Sequence, residues 1–124
     1  MDKYLFAGLG GFIGTVCRFG VAGFMYKVFG DRFPYGTLAV NITGCFVIGI
    51  LMTLFEDRFL IQPNLRIFLT VGILGGFTTF STFSFETVEL FKAGDFFLGS
   101  VNAVVSLFGC LAAAWVGTVL GKIL

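Results

Sequence analysis

The chain has 124 residues, of which 57% are hydrophobic and 12% charged, with a net charge of +1 and a mean hydropathy of +1.00. A soluble globular domain carries about a quarter charged residues, so a water-soluble enzyme or binding module is excluded, and no basic surface exists to engage nucleic acid. Three cysteines and no histidine leave too few ligands for a zinc or catalytic thiol centre; Cys17, Cys45 and Cys110 all fall inside apolar stretches and read as small apolar filler.

Four apolar stretches follow, each long enough for the roughly 20 residues that a membrane crossing needs. The first, over residues 4–29, is interrupted only by Arg18. It is longer than a signal-peptide core and its start, Asp2 beside Lys3, is barely basic, so it is expected to be retained. The second, over 35–55, is uncharged. The third is uncharged from Ile67 to Phe85 and is predicted over 67–91, with a break near 75–79. The fourth covers 96–121. Segments 30–34, 56–66 and 92–95 hold most of the polar residues and are too short for an extramembrane domain. The expected fold is all-α: one transmembrane domain of four helices, the third of them broken.

Arg18 sits near the middle of its stretch, where an arginine costs roughly 2.5–3.5 kcal/mol on insertion scales. It is either a fixed positive charge that attracts an anion or holds a vestibule, or a structural partner of Glu86 or a loop acid. Asn41, the one strongly polar side chain of the second span, suits a pathway donor or interhelical glue, and spacing favours glue. In the third span, paired glycines at 75 and 76 weaken the helix by about 1 kcal/mol each. The hydroxyls that follow can bond freed backbone, so a broken helix is expected there. Phe80 and Phe83, one turn apart beside Ser81, Thr82 and Ser84, could offer ring edges to an anion. In a chain with 18 phenylalanines the pair by itself reads as packing. Glu86 ends the hydroxyl-rich run of the third span and could be solvated, paired or titrating. Asn102, Ser106 and Cys110 share a face of the fourth span, either as a track of weak donors or as groups bonded to their own backbone.

Lys3, Arg58, Arg66 and Lys122 fall on one side of the membrane and Lys27, Arg32 and Lys92 on the other, which is almost no orienting bias. Insertion in both orientations and insertion in one both remain open. Gly10 with Gly14, Gly72 with Gly76, and the stripe Gly109, Ala113, Gly117 and Gly121 let backbones approach closely. Sequence does not separate packing within a subunit from packing between subunits.

Three segments, GGFIG at 10–14 followed by Arg18, GTLAVN at 36–41 with Gly44, and GGFTTFSTFSFE at 75–86, closely resemble the Fluc (CrcB) family of bacterial fluoride channels. The resemblance runs over all four spans, is most specific in the last segment and is least distinctive in the fourth span. It implies an antiparallel dual-topology homodimer in the bacterial inner membrane, with two pathways for passive fluoride export that lowers cytoplasmic fluoride toxicity. It also implies that Phe80 and Phe83 supply ring edges, Asn41 a pore-side amide, and Ser106 part of a polar track with Asn102 beside it. Ser81 and Thr82 would add hydroxyls along the path, Arg18 would lie near a vestibule and Glu86 near the pore wall. A structural sodium ion at the dimer centre would be held by the Gly75 and Thr78 carbonyls of each subunit, with no organic cofactor and no enzymatic activity. Fluoride, sodium and membrane lipid are then the expected partners. A four-helix drug or guanidinium exporter is the main rival, but its first span needs a carboxylate where this chain has Arg18. A holin or scaffold subunit would not need a hydroxyl-rich broken helix.

Overall fold

The computed structural model describes residues 2–57 and 61–124, all of whose regular structure is helical. Helix α1 (Asp2–Phe29) ends where Gly30, at φ +86°, donates its N–H to the Tyr26 carbonyl at 2.8 Å. Such a left-handed glycine closes a helix at no steric cost. Helix α2 (Tyr35–Asp57) follows. Helix α3 (63–77) opens with Pro63 in its first turn, where a missing N–H costs nothing. It widens to a π-helix over Phe68–Leu74 and returns to α-helix for Gly75–Phe77. Helices α4 (Phe80–Lys92) and α5 (Phe96–Ile123) are joined through Gly94, at φ +84°.

By length and composition, α1, α2, the segment Pro63–Lys92 and α5 are four helices able to cross a membrane. Hydropathy marks the apolar portion of each rather than its ends. The third begins at Pro63, so Arg66 rides on its first turns. Arg58, counted above among the loop charges, lies outside the described residues.

The interruption expected near 75–79 is present, but the glycines do not make it. Gly75 is helical, at φ −62° and ψ −38°. The break falls at Thr78 (φ −92°, ψ 161°) and Thr79 (φ −155°, ψ 117°), both extended. Gly76 serves close packing instead, as does Gly72 one turn earlier. A Cβ on Gly76 would lie 2.7 Å from the Gly11 carbonyl oxygen, and one on Gly72 2.7 Å from the Gly10 Cα. A Cβ on Gly14 would run into the Ile73 carbonyl. The two GxxxG pairs therefore face each other inside one subunit, fixing α1 against α3. A second seam joins α2 to α5, with Gly109 on Ile42, Gly49 on Ala114, Gly117 on Phe46 and Gly121 on Thr53. In both seams residue numbers rise together, so each pair runs parallel.

The molecule is inverted relative to a soluble protein. Phe12, Phe19, Phe80 and Trp115 are among its most exposed large side chains, while Gly10, Gly14, Thr37, Thr53, Asn102 and Ser106 are buried. Small and polar residues fill the interior because close backbone packing, rather than expulsion of apolar groups from water, holds helices together in lipid.

Candidate ion pathway

The break in the third span is built by side chains from two other helices. Asn41, on α2, donates from Nδ2 to the Thr79 carbonyl at 2.9 Å and accepts from the Thr79 N–H at 2.8 Å through Oδ1. One carboxamide thus satisfies both backbone groups of an extended residue that has no strand to pair with. Arg18, on α1, donates from Nε to the Gly76 carbonyl at 2.9 Å. Helix α4 then restarts under Thr79, whose Oγ1 accepts from the Thr82 N–H at 3.1 Å as an N-cap.

These bonds alter the carbonyls before the break. In an unbroken helix the Gly75 oxygen would accept from the Thr79 N–H, and the Thr78 oxygen from the Thr82 N–H. The first donor is taken by Asn41 and the second by the Thr79 hydroxyl. Both oxygens are released from helical pairing, and both residues border a groove of about 600 Å³. Oxygen ligands suit a hard cation, so the donor set fits the sodium ion that the resemblance implies.

The same groove gathers Asn41, Phe80, Phe83 and Ser106 with Thr79, Cys45 and Cys110. The Phe80 and Phe83 rings are 5.4 Å apart, tilted by 48°, with Phe80 78% exposed. Apart from that contact with Phe83, the Phe80 ring is left largely uncovered by the subunit. Ser106 is buried and donates to Asn102 Oδ1 at 3.2 Å, not to its own backbone. Asn102 in turn donates to Thr87 Oγ1 at 2.8 Å, and Thr87 to the Phe83 carbonyl at 2.7 Å. This relay ties the α5 track to the helix that carries the phenylalanines.

Ser81, Thr82, Asn102, Arg18 and Glu86 do not border that groove. Ser81 shares a 3.3 Å hydrogen bond with the Thr79 hydroxyl, next to the break. Glu86 accepts from Tyr26 at 2.7 Å on Oε2 and from Thr37 at 2.5 Å on Oε1. It edges a smaller cleft of about 210 Å³ with Asp31, Arg32 and Glu89. The suggested Arg18–Glu86 pair does not form, since the arginine is held by a backbone carbonyl and the carboxylate by two hydroxyls. Two hydroxyl donors on one carboxylate are charge-assisted bonds, which offset the cost of keeping an acid at the edge of a span.

Tyr26, Thr37, Thr79 and Thr87 escaped the sequence reading. Thr79 alone carried a signal, as an N-cap residue placed three before Thr82; the others act through contacts between distant segments.

A family model described as "CrcB-like protein, Camphor Resistance (CrcB)" matches residues 5–118. The chain is 45% identical over 124 residues to the fluoride-specific ion channel FluC of Citrifermentans bemidjiense, covering all of both chains. It is 48% identical over 107 residues to the protein of that name from Geobacter sulfurreducens, covering 86% of each. For the one from Clostridium novyi, identity is 43% over 126 aligned positions, covering 99% of this chain and 98% of that one.

Proposed function

The chain belongs to the CrcB-like family, and on that footing we propose that it is a fluoride-selective channel for passive export across the bacterial inner membrane. It is not an enzyme. The observation that carries the reading is the shared groove, where Asn41, Phe80, Phe83 and Ser106 line one wall system beside the broken helix. Fluoride is small and strongly hydrated, so donors along the path must replace its water stepwise. An amide, hydroxyls and ring edges do this without the deep trap that a row of arginines would create, and conduction needs binding weak enough to release. Asn41 serves first as the clamp on Thr79, and its remaining amide hydrogen is the one available to an anion. Arg18, bound to the Gly76 carbonyl, adds positive charge behind the break rather than a ligand in the groove.

A groove open along one side of a subunit becomes a closed path when a second copy covers it. The near-balanced lysine and arginine distribution supports an antiparallel pairing. Two copies would bring four released carbonyls together, Gly75 and Thr78 from each, as a site for a structural sodium ion. Membrane lipid would meet the exposed apolar faces.

The test is the purified protein in liposomes, with halide release followed by ion-selective electrodes. Fluoride efflux without chloride efflux is expected; no fluoride efflux from well-incorporated protein defeats the reading. Variants given extra lysines on one side should lose activity alone and regain it when oppositely biased forms are mixed. Full activity of each alone rules out the antiparallel pair.

A further inference from the structure

Cys45 on α2 and Cys110 on α5 meet across the seam between these helices. The contact of Gly109 with Ile42 on one side and of Gly49 with Ala114 on the other brackets the two cysteines at one level. Cys45 and Cys110 each stand four residues, about one turn, before the contacting pair Gly49 and Ala114, and both are free, half-buried thiols that border the 600 Å³ groove. Each stands one helical turn from a polar wall residue, Cys45 from Asn41 and Cys110 from Ser106.

The geometry points to a two-coordinate site for a soft cation such as copper(I), silver(I) or mercury(II), bridged by the Cys45 and Cys110 sulfurs. Thiolates select soft ions. Among the described residues no third histidine, cysteine or carboxylate joins them, so the four ligands of a structural zinc site are not assembled. On binding, each thiol gives its proton to water and one sulfur–metal bond forms at each residue, with no change of oxidation state. Glycine contacts on both sides hold the helices close at this level, so the two thiols are presented from fixed backbones to an ion entering the groove. On the reading that the groove carries fluoride, the bound cation sits in its wall one helical turn from Asn41 and Ser106 and arrests the anion there.

The experiment uses the full chain with Cys17→Ser, which removes the exposed third thiol, and titrates it with mercury(II) in the presence of a competing monothiol. One ion per chain is expected to consume both remaining thiols and to give the ultraviolet charge-transfer band of a bis-thiolate. Adding Cys45→Ser or Cys110→Ser should weaken retention by about 10²–10⁴, the gain expected when a second ligand is held in place; alanine versions serve where a serine variant does not elute as folded protein. Two ions per chain, or equal retention by the single-cysteine variants, overturns the bridging site. Fluoride efflux measured on the same samples should stop with mercury and recover with a dithiol chelator. Bound mercury with unchanged efflux would uphold the metal site and count against the groove as the anion's route.

Discussion

The Asn41 carboxamide closes both of its bonds on a single residue, Thr79, accepting from its N–H at 2.8 Å and donating to its carbonyl at 2.9 Å. The break in the third span therefore depends on a side chain from the second. A buried backbone group left unpaired costs about 1–3 kcal/mol. Asn41→Ala strips both partners at once, and is expected to lower stability by at least that amount and to abolish flux. Asn41→Asp keeps an acceptor for the Thr79 N–H and should retain more stability than the alanine variant. Denaturation in detergent, with liposome efflux alongside, measures both, and equal stability of Asn41→Ala and the parent removes the clamp.

Phe80 and Phe83 are tilted rings on the groove wall, with Phe80 largely exposed within the subunit. Replacing either by isoleucine keeps apolar bulk but removes the electropositive ring edge. Fluoride efflux is expected to fall at least tenfold while elution volume and stability stay unchanged. Normal flux in both variants assigns the rings to packing.

The α1–α3 seam predicts a contrast between two glycines on one helix. Gly14→Ala drives a methyl into the Ile73 carbonyl, and overpacking of this kind costs about 1–3 kcal/mol. Gly8→Ala meets nothing within 4 Å, so the better helix former should be neutral or stabilising by up to about 1 kcal/mol. Thermal unfolding in detergent reads the difference, and equal effects at the two positions refute the seam.

Tyr26 and Thr37 hold opposite oxygens of Glu86 and contact each other at 3.2 Å. Hydrogen bonds to a charged group contribute about 1.5–3 kcal/mol each. Tyr26→Phe and Thr37→Val should each destabilise, and the double variant should depart from additivity by about 0.5–3 kcal/mol, as groups in one network do. Strict additivity in a double-mutant cycle means that the two hydroxyls act independently.

Much was legible in the chain itself. Composition and four apolar stretches specify a helical membrane protein, because lipid leaves backbone groups no partner outside a helix or closed barrel. The GGFTTFSTFSFE segment located the break and marked the phenylalanines, and small-residue spacing announced close helix packing. What escaped was who meets whom. Gly75 and Gly76 looked like the breaking residues, yet they stay helical because neighbouring α1 packs against that turn; the chain leaves the helix at Thr78 and Thr79 because Asn41, 38 positions before Thr79, receives both backbone groups of Thr79. Arg18 and Glu86 suggested a pair by charge alone, and tertiary packing gave each a different partner. Local pattern follows from periodicity and propensity within a few turns. Hydrogen-bond partners across helices depend on register, and register is decided only when the glycine seams bring the backbones together.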